Sequence, residues 1–378
     1  MADAAVIKDG AVAIKDGRVA AVGPTDDVAR TWTATETIDA RGRLVTPGLV
    51  DAHTHLIFAG TREDEFEKRL QGVPYMEIAR AGGGILSTVD KVRRATQDEL
   101  VALAAPRLAS MLAHGTTTAD IKSGYGLSTA DEVKSLKAIS ALQGHVRLVP
   151  TFLGAHEVPR EFAGRRPEYV DLVVNEMIPA VKGLARFCDV FCEQGVFTPA
   201  EARLILTGAR GAGMGIKLHA DEFAPSGAAE LAGELQAVSA DHLMAVSDAG
   251  IKALAASATI AVMLPGTSFF LGGARYAPAR KLIAEGIPLA LGTDCNPGSC
   301  MTWNLQIVMT IACTQLRLTP AEALCAATVN SAHAVGEPDA GVLAVGKRGD
   351  VVIWEAPNLR SLPYCFGVNQ AWRVITSA

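Results

Sequence analysis

The chain has 378 residues, 49% of them hydrophobic and 20% charged, a composition that can bury a large core and a length beyond one ordinary domain. Its formal net charge of −5 argues against nucleic acid or an anionic membrane surface as a partner. No apolar run approaches the roughly 18 residues of a membrane helix, and Met1-Ala2-Asp3-Ala4 lacks the basic and apolar regions of a signal peptide, so a cytoplasmic protein is expected. Seven cysteines, Cys188, Cys192, Cys295, Cys300, Cys313, Cys325 and Cys365, form an odd set without a CxxC pair. That fits reduced thiols better than a disulfide framework.

In chain order, residues 10–23 form two apolar runs joined by Asp16-Gly17, a strong hairpin signal. Two strands alone are marginal in water, and residues 342–354 again read strand, turn, strand. The expectation is a small β-sandwich domain built by both termini, residues 1–47 and 336–378. The intervening 48–335 alternate short apolar strands with longer helical stretches, the pattern of parallel βα units. Strand candidates at 49–55, 116–122, 146–156, 186–193, 215–222, 238–242, 259–265 and 288–294 make eight, the number that closes a (β/α)8 TIM-like barrel. Residues 98–114, 129–142 and 199–211 carry apolar side chains at helical spacing. Thr319-Pro320-Ala321-Glu322 orders an N-cap, an N1 proline and a capping-box acid.

The chemistry gathers where these strands end. His53 and His55, separated by one residue, would leave a strand on the same face, a good start for a zinc or iron site. Eight histidines make such a pair by accident in roughly one sequence in six, so the pair alone is a weak signal. The rest of the rim strengthens it. Tyr125 follows strand 2, His156 ends strand 3, His219 and Glu222 end strand 5, His242 ends strand 6 and Asp294 ends strand 8. In a barrel of this type reactive residues collect at that rim. By contrast His114, His145 and His333 fall at helix ends or connections and read as structural. His53, His55, His219 and Asp294 supply enough ligands for one catalytic metal with an open position. A second metal would need a bridging group, and strand 4 ends in Asp189-Val190-Phe191-Cys192-Glu193, without a lysine; Lys122, after strand 2, is badly placed for that role. The glycine run Gly82–Gly84 lacks the Lys-Ser/Thr of a P-loop, and no GxSxG elbow is present. Cys188 and Cys192 are expected in the core.

With PGLVDAHTH, the histidine of KLHADE, the histidine of SADHL and the aspartate of LGTDCNPGS, the chain resembles the amidohydrolase superfamily. KSGYGL and FLGAHEVP point further, to its imidazolonepropionase family, along essentially the whole chain. That family usually begins with one more strand before the hairpin. The resemblance implies a metal-dependent hydrolase, with one zinc or iron, that opens the ring of 4-imidazolone-5-propanoate to N-formimidoyl-L-glutamate. It implies that Arg62 pairs with the substrate carboxylate, that Tyr125, His156, Asn296, Gly298 and Ser299 line the pocket, and that Glu222 and His242 handle protons. The substrate is thus a small molecule, and a homodimer is the expected assembly. Two rivals stand beside this reading. One is another one-metal hydrolase, such as a cyclic-amide hydrolase or a nucleobase deaminase. The other is a non-catalytic barrel, which should have lost ligands, and none is missing.

Overall fold

The computed structural model describes residues 4–73, 77, 78 and 81–377; the Met1-Ala2-Asp3 opening read above lies outside them. Strands β1 (Gly10–Lys15) and β2 (Arg18–Pro24) pair antiparallel. Between them Asp16 and Gly17 sit at φ of 50° and 71°, the left-handed pair that a two-residue hairpin of primed type requires. Strand β3 (Val45–Pro47) then leads into the barrel.

Eight strands run parallel in chain order: β4 (Leu49–Asp51), β5 (Thr116–Lys122), β6 (Arg147–Ala155), β7 (Phe187–Cys192), β8 (Gly215–Ala220), β9 (Ser239–His242), β10 (Ile260–Met263) and β11 (Leu289–Leu291). The seam between the last and the first is closed by backbone bonds beyond both strands. Ala52 N donates to Leu291 O at 3.2 Å, Asp294 N to His53 O at 2.9 Å and His55 N to Cys295 O at 2.9 Å. This corrects two predicted strands. The stretches 49–55 and 288–294 keep regular strand geometry only to Asp51 and Leu291, and Asp294 then turns left-handed at φ 51°.

Side-chain alternation along the strands divides the core in two. Leu49, Ile121, Val190 and Leu218 pack outward against helical residues such as Leu100, Leu108, Leu136 and Ile205. Val50, Val149, Phe187, Val262 and Ala290 form a separate cluster inside the barrel. Cys188 and Cys192 belong to the outer core, as expected. The helices Gln97–Ala113, Thr129–Ala141 and Pro199–Gly211 follow the apolar spacing read from the sequence. Thr319 and Glu322 complete a capping box on Pro320–Ala326.

The returning chain supplies β12 (Val351–Trp354) and β13 (Ala371–Ile375), which join β3 in an antiparallel sheet of order β13-β12-β3. The two termini therefore meet, though in two sheets. Of the predicted strand, turn, strand at 342–354 only the second strand forms. The first run instead lies along the hairpin, where Val19 N donates to Lys347 O and Gly346 N to Val19 O, both at 2.8 Å. Trp354 ties the terminal sheet to the barrel. It is fully buried, its Nε1 donates to Thr46 Oγ1 at 2.8 Å, and its ring covers Gly115, where φ is 94° and a Cβ would stand 2.8 Å from the indole. Trp354→Ala should therefore cost about 3–5 kcal/mol, measured as a lower denaturation midpoint in urea; a midpoint within error of the wild type would mean that the terminal sheet is energetically detached.

Candidate active site

The predicted rim residues converge. His53 and His55 follow β4, Tyr125 follows β5, His156 follows β6, His219 lies in β8, Glu222 stands just past it, His242 ends β9 and Asp294 follows β11. All of them are buried. His53 Nε2 lies 3.2 Å from His55 Nε2, which lies 3.3 Å from His219 Nε2. Asp294 Oδ1 stands 3.4 Å from both His53 Nε2 and His55 Nε2. Ligands bonded at about 2.0–2.1 Å around a tetrahedral ion are separated by roughly 3.4 Å, which is this spacing. His53 Nδ1 donates to Asp241 Oδ2 at 2.6 Å, so its Nε2 carries a lone pair. Lone pairs aimed at one another in a buried site repel unless a cation lies among them, and the donor set suits zinc or iron(II). The residues present fit one divalent metal. His242, with His53 and Asp294, also lies within ligand spacing.

Behind these groups lies a polar layer that the sequence reading missed. Asp241 holds His53, and Asp189 Oδ2 faces His219 Nδ1 at 3.1 Å, the carboxylate–histidine pairing that fixes ring orientation at metal sites. Lys122 Nζ is 2.8 Å from carboxylate oxygens of both Asp120 and Asp189, and Lys217 Nζ is 3.4 Å from Asp120. All five of these charged side chains are fully buried. The signal for them was in the alternation. Asp120 and Lys122 share one face of β5, and Lys217 and His219 share one face of β8. Asp51 braces the seam, accepting from Thr293 N at 2.9 Å and Thr293 Oγ1 at 2.7 Å.

Electrostatics separate the two rim carboxyls. Burial lifts Glu222 well above the ordinary carboxylate range, reinforced by the charges of Asp294 and Glu193. Burial opposes ionisation of Asp294 as well, but the neighbouring His55 and His242 rings and Thr267, whose Oγ1 donates to Oδ2 at 2.5 Å, hold it below that range. Burial pushes His242 down to about 3, aided by the neighbouring His219 and His55, so its imidazole is neutral. His156 is likewise lowered by burial, with His55 and His219 adding to the effect. Its Nδ1 donates to Gly124 O at 2.9 Å, and its ring stacks on His55 at 5.0 Å between centroids. His242 itself sits at φ 74°, a costly conformation for a non-glycine residue and of the kind concentrated at functional sites.

Arg62 departs from the solvated default for an arginine after a strand. It is buried, and its Nε and one Nη donate to Glu65 Oε2 at 3.0 and 2.8 Å. Glu65, which the sequence reading passed over, also accepts from Gly84 N at 3.2 Å and from Ser87 Oγ at 3.2 Å. This gives the glycine run a purpose: at φ 72° Gly84 brings its backbone onto a buried carboxylate. Gly298 seats against the Arg62 guanidinium, which leaves no room for a Cβ there, and Arg69 Nη1 donates to Gly298 O at 2.6 Å. Asn296 is engaged by its own loop. Its Oδ1 accepts from Gly298 N and Ser299 N at 2.8 and 2.7 Å, and its Nδ2 donates to Ser299 Oγ at 2.8 Å. Tyr125 packs beside His55 and His156, with ring centroids 5.8 and 5.2 Å away.

A parallel barrel with this rim defines a metal-dependent hydrolase, and a model of the amidohydrolase family matches residues 44–376; the chain belongs to that family. Within it the chain falls among the imidazolonepropionases. It is 53% identical to the imidazolonepropionase of Symbiobacterium thermophilum over 99% of this chain and 90% of the relative, and 49% identical to that of Geobacillus kaustophilus with the same coverage. Residues 10–33 match an imidazolonepropionase-like composite domain of bacteria. A 5-methylcytosine deaminase from Klebsiella pneumoniae, liganded with phosphonocytosine, superposes with a TM-score of 0.75 over 97% of this chain and 93% of its own, at 17% identity. That likeness is one of fold.

The geometry makes Asp241 accountable for metal affinity. Asp241→Asn keeps the shape but weakens the hold on His53 Nδ1, and should loosen the metal by roughly 10–100-fold. Competition with a chelator measures this, and an unchanged dissociation constant would show that His53 keeps its orientation unaided.

Proposed function

We propose that the chain opens the ring of 4-imidazolone-5-propanoate with water, giving N-formimidoyl-L-glutamate in histidine degradation, with one zinc or iron ion held by His53, His55, His219 and Asp294. The observation that carries the metal is the gathering of these donors, with His55 Nε2 3.2–3.4 Å from donor atoms of His53, His219 and Asp294 and Asp294 Oδ1 3.4 Å from His53 Nε2. Kinship to imidazolonepropionases along nearly the whole chain supports the substrate.

A divalent ion in that set would supply an activated water and polarise the ring carbonyl. The remaining work falls to side chains. Glu222 lies three residues beyond His219, with its Oε2 3.7 Å from His242 Nε2. It takes a proton from the attacking water and passes one to the ring nitrogen as the C–N bond breaks, leaving the former carbonyl carbon as a carboxylate. The opposed proton affinities of Glu222 and Asp294 suit this division, since Asp294 stays ionised as a ligand while Glu222 can carry a proton. Neutral His242 donates a hydrogen bond to the developing oxyanion. Tyr125 and His156 wall the ring. Arg62, set by Glu65 and seated on Gly298, receives the propionate, a group that a guanidinium matches with two parallel bonds. Gly298 and Ser299 complete that end of the pocket in the loop that Asn296 orders.

The test is turnover of imidazolone propionate by metal-analysed protein, beside a panel of nucleobases. Deamination of a nucleobase without turnover of the imidazolone would overturn the substrate, and two equivalents of metal in active protein would overturn the one-metal reading. Glu222→Gln should keep the metal while kcat falls by about 10²–10⁴-fold; near-normal kcat at full occupancy would move the proton work to His242 or Asp294. Arg62→Met should chiefly raise KM, by about 2–5 kcal/mol for a desolvated pair, with lysine rescuing only part of the loss. Unchanged kinetics would hand the propionate to Arg69.

A further inference from the structure

Two buried lysines stand inside the barrel, yet only one of them reaches the groups that orient the site. Lys122 Nζ lies 2.8 Å from Asp120 Oδ2, 2.8 Å from Asp189 Oδ2 and 3.8 Å from Asp241 Oδ2. Asp189 in turn faces His219 Nδ1, and Asp241 accepts from His53 Nδ1. His53, Asp189 and Asp241 are themselves spaced closely enough to hold a cation. The neighbourhood therefore has the makings of a second metal position, and an ammonium sits beside it. Lys217 is equally buried, but its ion pair is to Asp120 at 3.4 Å, and its Nζ lies 4.7 Å above the Phe187 ring.

We infer that Lys122 is the built-in second cation of this centre, a positioning residue whose ammonium anchors the two carboxylates that aim His53 and His219 and takes the place of a second metal ion. The chemistry favours this arrangement. Three carboxylates crowded into a dry barrel need positive charge, and an ammonium carried on β5 supplies it without depending on metal supply. A single charge on a flexible stem also leaves the carboxylate oxygens in place for the histidines, where a divalent ion would draw them into its own shell. The anchor explains how a site lacking a bridging group can sit over so much buried acid and still be laid out for one ion.

The inference rests on the metal reading above, and the experiment separates the two. Full-length wild type, Lys122→Met and Lys217→Met are compared by chelator competition for zinc, with folding checked by circular dichroism. Wild type should bind one equivalent. Lys122→Met should bind it roughly 10–100-fold more weakly, as loss of support behind a ligand does, whereas Lys217→Met should remain within about threefold of wild type. If Lys122→Met fails to fold, the charge-balanced Lys122→Met/Asp120→Asn pair takes its place with the same expectation. Unchanged affinity in the Lys122 variant, or an equal loss in Lys217→Met, would overturn the inference, since a general need for buried charge treats both lysines alike. A wild type that binds no zinc or iron at all would instead bring down the metal reading itself.

Discussion

Three imidazole nitrogens and a carboxylate oxygen, held within 3.4 Å of their neighbours and away from water, are the constraint that the rest of the molecule serves. Such a set is unfavourable by itself, because it gathers lone pairs where neither water nor protons can separate them. It persists because three of its four members are held from behind. Asp241, Asp189 and Thr267 act directly on His53, His219 and Asp294, and Lys122 acts on the carboxylates in turn. The barrel contributes rigidity, since every one of these groups stands on a strand or within a few residues of one. Where strands end, the backbone takes strained left-handed steps at His242, Leu243 and Asp294, so the reactive rim stores strain that the packed walls below can bear.

The Arg62 end of the pocket follows the same logic with different parts. A buried arginine is expensive without a partner, and Glu65 supplies one while also fastening Gly84 and Ser87. The Asn296 loop opposite is tied down by its own side-chain bonds. The two ends of the pocket are joined, since Asn296 Nδ2 also donates to Asp294 O at 2.7 Å.

Much of this was legible in the residues. The eight strands, the main helices and the rim positions followed from apolar period and from polar residues at strand ends, because burial imposes a regular code on a parallel barrel. The terminal hairpin was equally readable, since Asp16-Gly17 admits few conformations. What escaped was polar material inside the strands. The meaning of Asp120, Lys122, Asp189, Lys217 and Asp241 depends on partners from four different strands. Strand ends were overextended at 49–55 and 288–294 because the seam bonds are made by chain that has already left regular geometry. Glu65 was invisible for a similar reason: an acid in the first turn of a helix has an ordinary explanation in the helix dipole. The run at 342–345 has strand-like composition but forms no ladder, and the bonds to the hairpin are made just beyond it by Gly346 and Lys347.

The seam has a consequence for how the chain matures. Asp51 and Thr293, 242 residues apart, are joined by two hydrogen bonds beside the point where His53 and Asp294 meet. The approach of Asp294 to His53 and His55, on which the proposed metal site depends, exists only when the first and last strands of the barrel are side by side. A nascent chain carries His53 and His55 from early in its synthesis, yet lacks the opposing carboxylate until nearly the whole barrel has been made. Under the proposed metal site, capture would be a late event and a loaded site would certify that the cylinder has closed. An ion bound there would clasp the two ends of the barrel together.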